Sequence, residues 1–264
     1  MRFTTTSWAV ARAAFLKNLA YVGAHMANNA GSFLFGLIYI TLWHAASRGR
    51  TLGPFHAREL MSYIALSQAV LWISTFLPDG LDIPRQVRTG SIALEMARPV
   101  AHAPRMLADG VGQALYNLVF RSGPLIVGFT LMGVFPWRAL IAGPRPVWVF
   151  SALAASLLTG VLFQYLIGIS AFWTIESRWA RRLFMGLTVL MSGQLLPIQL
   201  MPAFLRHLLL WLPFQALVSL PVSAWLGVAS PEGWISAAGW ALVLYGLVRW
   251  ITARARRRLE VQGG

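Results

Sequence analysis

Residues 147–175 contain no charged side chain, and residues 106–133 contain two, Asp109 and Arg121. Apolar runs of this length recur along the chain and leave it few folds. A helix rises about 1.5 Å per residue, so about twenty residues cross a hydrocarbon core of about 30 Å. No water is present there to satisfy backbone N–H and C=O groups, so a spanning segment closes its hydrogen bonds within a helix or a closed barrel. Barrel strands are short segments of alternating hydrophobicity, and that alternation is absent. Only 11% of the residues are charged, against about 25% in soluble domains. With 57% hydrophobic residues and a mean hydropathy of +0.62, the chain reads as an all-α integral membrane protein, one transmembrane domain over 1–264.

Six spans are predicted, over residues 26–46, 57–77, 106–133, 147–175, 183–196 and 234–251. Ahead of the first, Trp8, Ala11, Phe15, Leu19 and Val22 fall on one helical stripe with Lys17 roughly opposite. Arg2, Arg12 and Lys17 interrupt any leader-like apolar core. Residues 1–25 are therefore expected to form an amphipathic helix on the inner membrane face; the alternative is the leading end of the first span. Residues 197–231 are apolar but carry Pro197, Pro202, Pro213, Pro221 and Pro231. An interior proline costs a helix about 3 kcal/mol. Two short helices, about 202–211 and 213–227, dipping into the outer leaflet as a re-entrant hairpin are expected; a kinked extra pair of spans is the competing arrangement.

Orientation follows from where the cations sit. With both termini inside, the inner segments hold Arg2, Arg12, Lys17, Arg85, Arg88, Arg98, Arg105, Arg178, Arg181, Arg182, Arg249, Arg254, Arg256, Arg257 and Arg258. The outer loops hold Arg48, Arg50, Arg58, Arg138, Arg145 and Arg206. This asymmetry places both ends in the cytosol. The net charge of +14 would suggest nucleic acid in a soluble protein. Here the arginines gather at the ends of apolar runs, so anionic lipid headgroups are the expected partner and nucleic acid is not.

The longest polar interruption, residues 78–105, carries Arg85, Arg88, Arg98 and Arg105 against Asp79, Asp82 and Glu95. It must sit in water between two spans. Asp82 is placed to cap a short helix with Pro84 in its first turn and Gly90 at its end. On that helix Ile83 and Val87, at i and i+4, are expected to form an apolar knob flanked by Arg85 and Arg88; an ordinary solvated loop is the plainer reading.

Chemistry of the chain's own is not legible. A phosphate-gripping Walker A loop needs glycines and then Lys before Ser or Thr; the one lysine, Lys17, is followed by Asn18. No cysteine is present and the five histidines are scattered, so no metal site is expected, and no cofactor. Ionisable groups inside spans are candidates for function. Asp109 is expected to pair with Arg105. Arg121 can face a subunit interface, a water-filled path or an anionic headgroup, or bind carbonyls freed near Pro124 or an acidic residue elsewhere. Gln164, Tyr165, Trp173 and Gln194 offer polar and aromatic groups to a cargo path, or pack between helices or against lipid. Gly123, Gly128, Gly160 and Gly168 are expected to let helices approach closely.

Two stretches carry a family resemblance: GSIALEMARPV at 90–100, and LPIQLMPAFL at 196–205 followed by LPF at 212–214. In that order and placement the chain resembles the membrane subunit of ABC-2 type exporters, and more narrowly the drug or viologen exporter permeases. The resemblance implies a second permease, identical or a sister chain, and two copies of an ATPase subunit that use ATP and magnesium. It implies a bacterial-type inner (plasma) membrane and export of a hydrophobic or amphipathic small molecule from the cytosol or inner leaflet. Ile83, Arg85, Val87, Arg88, Glu95 and Arg98 would then couple to the ATPase. Arg121, Gln164, Tyr165, Trp173 and Gln194 would mark the path. A non-transporting receptor or scaffold, or a membrane-embedded lipid-modifying enzyme, are the rival classes; the enzyme would need a His, Asp or Glu cluster at one membrane face, and the sequence shows none.

Overall fold

The structure, a computed structural model, describes residues 2–47, 49–97, 101–141, 143–174 and 177–262, and is helical, with no sheet among them. Helix α1 (Arg2–Asn18) leads through a single 3-10 turn into α2 (Val22–Ser47), and α3 (Ala57–Ser74) returns antiparallel to it. A 3-10 turn at Asp79–Asp82, then α4 (Ile83–Arg88) and α5 (Ile92–Ala97), form an elbow before α6 (His102–Asn117). A π-helical turn, Leu118–Ser122, joins α6 to α7 (Gly123–Leu131), and the one-turn α8 (Trp137–Leu140) precedes α9 (Arg145–Ile169). After α10 (Ala171–Thr174) come α11 (Arg178–Met191), α12 (Ala203–Leu210), α13 (Ser219–Leu226) and the long α14 (Pro231–Gln262).

Five helical stretches are long and apolar enough to cross a membrane: His25–Ser47, Ala57–Arg88, His102–Leu131, Arg145–Thr174 and Pro231–Arg258. The stretch expected to cross at 183–196 differs. Helix α11 has 14 residues, about 21 Å, and continues irregularly from Ser192 to the 3-10 turn Ile198–Leu200. This broken course starts at the elbow, where Arg181 pairs with Asp79. It ends beside the far parts of α2 and α3, where Trp43 Nε1 donates to Leu195 O (3.1 Å) and Tyr63 Oη to Gly193 O (2.9 Å).

Helix α3 is the centre of the bundle. It is buried on every face from Ser62 to Ser74, as a helix apolar all round must be. Helix α9 runs parallel to it at backbone contact: a Cβ added to Gly160 would lie 2.2 Å from Ser74 O. Gly128 likewise admits Phe33, and Gly168 admits the backbone of Gly80, whereas Gly123 meets nothing closer than 3.8 Å. Three of the four expected packing glycines therefore sit at contacts. Helix α14 lies alongside α9, parallel to it, with Trp148 against Trp234 at one end and Tyr165 bonded to Thr252 at the other.

Prolines shape two breaks by one rule. Proline lacks an N–H, so it frees the carbonyl four residues earlier. Pro124 frees Phe120 O, the chain relaxes into the π turn, and Asn29 Nδ2 on α2 donates to that carbonyl at 2.8 Å. Pro221 frees Leu217 O, which accepts from Ser74 Oγ (3.0 Å) and Ser156 Oγ (2.6 Å). The second break lies within 197–231, between the 3-10 turn Pro213–Ala216 and α13. The flanking segments meet where Gln199 Nε2 donates to Ser223 Oγ (2.7 Å). Pro213–Ala216 and Leu217 pack on Phe163, Phe184 and Ser74.

The apolar stripe of α1 divides. Ala11 and Ala14 are buried, Ala11 at backbone contact with Gly112 of α6, and Phe15 stands edge-on to Tyr116. Trp8 and Leu19 point outward. Helix α1 is thus packed along α6, with only part of its apolar surface left for another environment.

Candidate functional site

The elbow is the site the fold builds with most care. Gly80, Leu81 and Asp82 all have positive φ (61°, 50° and 65°). Glycine accepts this freely, but a non-glycine residue there costs about 1–2 kcal/mol. Leu81 is held by burial, at 1% exposure. Asp82 occupies the N-cap of α4 without capping it; its carboxylate pairs with Arg85, Nε donating to Oδ1 at 2.7 Å. The left-handed turn aims the chain back along α9, and three separate ties hold it there.

The first tie is backbone contact. A Cβ on Gly80 would fall 2.5 Å from Gly168 Cα, and one on Gly168 2.1 Å from Gly80 O. Beside it, fully buried Gln164 accepts from Gly80 N–H (3.2 Å) through Oε1 and donates to Thr75 O (3.4 Å) through Nε2. The second tie is the Asp79–Arg181 ion pair to α11, with Arg181 Nη1 also donating to Leu77 O (3.4 Å). The third is the Glu95–Arg105 ion pair from α5 to α6. The elbow is thereby fixed to α9, α11 and α6 while Arg85, Arg88 and Leu94 stay exposed, Leu94 at 75%.

Several expected residues land differently. Ile83 is 0% exposed and Val87 packs half-buried against the same cluster. The knob expected to protrude is turned inward, because the left-handed turn rotates the start of α4 toward the core. Leu94 is the exposed apolar residue instead, and nothing in the helical periodicity of 83–89 points to it. Asp109 does not pair with Arg105, which belongs to Glu95; its carboxylate accepts from Gln113. Arg98 lies outside the described residues.

The five residues expected along a path are dispersed. Gln164 is the elbow clamp. Tyr165 is fully buried, its hydroxyl between His102 Nδ1 (3.2 Å) and Thr252 Oγ1 (2.8 Å), so it ties α6, α9 and α14 together. Trp173 is exposed at the end of α10, and Gln194 is half-buried in the irregular stretch after α11, its carbonyl 3.5 Å from Ser67 Oγ. Arg121 lies in the π turn, its guanidinium 4.2 Å from the centre of the Trp72 ring. Around it, His25 bonds Tyr116 (2.6 Å), Asn117 donates to Trp72 O (2.8 Å), and Ser122 donates to Ala69 O (2.6 Å). The carbonyl freed by Pro124 goes to Asn29 rather than to Arg121. Arg121 has no carboxylate partner among the described residues.

These ties bind together helices long enough to cross a bilayer, and the fold defines a multi-pass helical membrane protein. A family model described as "ABC-2 family transporter protein" matches residues 32–263, and the chain belongs to that family. It is thus a permease component of an ABC transporter, a transport chain and not a catalytic one, in a family that normally partners with an ABC ATPase. Comparison with curated proteins and with solved structures finds no match.

Proposed function

We propose that this permease works in an ATP-driven exporter, moving a hydrophobic or amphipathic small molecule out of the cytosol or inner leaflet, as in the drug or viologen exporter branch. Two permeases, identical or sister chains, stand over two ATPase subunits that bind the ATP and magnesium. The observation that carries the reading is the elbow. Its outer surface offers Arg85, Arg88 and Leu94, while its inner surface is tied to α6, α9 and α11. A rigid body pushed there moves three helices at once, and ATP hydrolysis needs such a lever because this chain shows no phosphate-gripping loop.

The excess of arginine at the elbow end supports a cytosolic elbow and cytosolic termini in a bacterial-type inner membrane. The broken course from α11 through Ser192 to Ile198 then serves as the fifth of six crossings. Its non-helical part is covered by α2 and α3, the condition under which irregular backbone is tolerated at depth. The hairpin from α12 to α13 enters from the outer side, its freed carbonyl satisfied at the tip. Arg121, Trp173 and Gln194 remain the residues assigned to a cargo path.

The test is co-purification with a co-expressed ABC ATPase. Arg85→Glu/Arg88→Glu and Leu94→Asp variants are expected to lose the ATPase while keeping the helical content and monodispersity of the parent. Retention of the ATPase by all of them removes the elbow from the coupling scheme, and no ATPase binding by the parent favours a scaffold role. Because the chain has no native cysteine, single cysteines at Arg85 or Leu94 report sidedness without background. Labelling by an impermeant reagent from outside whole cells reverses the orientation.

A further inference from the structure

Three arginines at the elbow end have carboxylates: Arg85 with Asp82, Arg105 with Glu95 and Arg181 with Asp79. Two others do not. Arg249 and Arg256 on α14 have no ion pair among the described residues, yet both line one cavity of about 310 Å³ between α14 and the first turn of α6. No carboxylate lines it among the described residues. Tyr245, Arg249, Thr252 and Arg256 follow each other at i, i+4, i+7 and i+11, a single face of the helix, with the two guanidinium groups' residues about 10.5 Å apart along the axis. The opposite wall is the start of α6, at Ala103 and Pro104. Pro104 has no N–H to offer, but a helix N-terminus carries partial positive charge, so both walls favour an anion.

The depth of the cavity narrows the choice of anion. Thr252 bonds Tyr165, the neighbour of the elbow clamp Gln164, so the arginines stand at the level where the chain turns out of the bundle. Above them, on the same face, α14 exposes Leu242, and Tyr245 stands at the cavity's deep end. An arginine pair beneath an exposed apolar helix face, with a tyrosine between, matches a lipid whose headgroup is charged and whose chains follow the helix.

We propose that this groove binds the phosphate-bearing headgroup of an anionic membrane lipid, with the acyl chains lying along α14. The inference rests on the membrane reading of the chain but not on its sidedness or on ATPase coupling. The experiment uses the purified full chain in detergent, titrated with phosphatidylglycerol or phosphatidylcholine of the same acyl chains and followed by native mass spectrometry. Phosphatidylglycerol is expected to be retained where phosphatidylcholine is not. Each arginine contributes about fivefold, so Arg249→Gln/Arg256→Gln is expected to weaken phosphatidylglycerol binding about 25-fold. Arg249→Lys/Arg256→Lys keeps the charge and retains most of the affinity. Arg254→Gln/Arg257→Gln removes the same charge from outside the groove and changes affinity less than about threefold. Unchanged lipid binding in the double glutamine variant overturns the proposal. So does equal loss in the Arg254/Arg257 variant, which signals diffuse attraction only, or displacement of the lipid by millimolar inorganic phosphate, which assigns the groove to a free anion. Loss of ATPase binding by the double glutamine variant with lipid preference intact makes the groove a protein contact and likewise overturns it.

Discussion

Gly168→Ala is the sharpest perturbation the structure offers, because a single methyl group must displace backbone. The added Cβ would lie 2.1 Å from Gly80 O, 2.8 Å from its carbonyl carbon and 2.9 Å from its Cα. Ordinary contact begins near 3.4 Å, so the turn must retreat by about 1.3 Å. None of the three atoms belongs to a side chain that can rotate away. The retreat stretches the Gly80 N–H to Gln164 bond, already 3.2 Å, past the range in which it contributes. Overpacking costs about 1–3 kcal/mol and a lost hydrogen bond about 1 kcal/mol. Together these lower the unfolding midpoint by about 5–10 °C for a chain of this size. The control is Gly186→Ala in α11, where a Cβ meets nothing within 4 Å. That change is expected to be neutral or to stabilise by up to about 1 kcal/mol. Thermal unfolding in detergent measures both, and ATPase stimulation in the reconstituted complex reads whether the retreating elbow still transmits. If Gly168→Ala unfolds with Gly186→Ala and stimulates the ATPase normally, the backbone lock between elbow and α9 is not there.

Gln164→Leu keeps the volume but strips partners from Gly80 N–H and Thr75 O, both buried in the clamp. A loss of about 2–4 kcal/mol is expected, measured by the same unfolding assay, with Gln164→Glu a harsher change than leucine. For the Asp79–Arg181 pair, whose aspartate is 68% exposed, Asp79→Asn should cost less than about 1 kcal/mol of stability. The exchange Asp79→Arg/Arg181→Asp is expected to restore whatever ATPase stimulation the single variants lose, and failure to do so in a double-mutant cycle denies the pair a role in transmission. Arg121→Gln gives up a cation–π contact of about 1–2 kcal/mol but relieves a charge inside a span that has no carboxylate partner among the described residues. Its unfolding midpoint should move by only a few degrees while efflux of a hydrophobic dye falls in cells that co-express the ATPase; unchanged efflux takes Arg121 off the cargo path.

The reach of the sequence is clearest at the prolines. Pro124 and Pro221 dictate that Phe120 O and Leu217 O lose their helical donors, and that much is readable from spacing. Which side chains rescue them is not. Asn29 lies 91 positions from Phe120, and Ser74 and Ser156 lie 143 and 61 positions from Leu217. Periodicity within one helix carries no information at such separations. The same limit explains the elbow. Composition alone marks 78–105 as polar and arginine-rich, and α4 forms close to where a short helix is expected, while α5 is not foreseen. Its sense of rotation, however, depends on three consecutive left-handed residues, two of them not glycine, which propensity rules would reject. That rotation buries Ile83, exposes Leu94 and brings Gly80 onto Gly168. Gln164 and Tyr165 show the converse. Polar side chains in an apolar span invite a functional reading, yet both are fully used in joining one helix to another. Arg121, also polar and in a span, has no such partner among the described residues. The distinction between a polar group that holds the bundle together and one left over for a ligand thus rests on hydrogen-bond partners, and partners are a property of the folded chain.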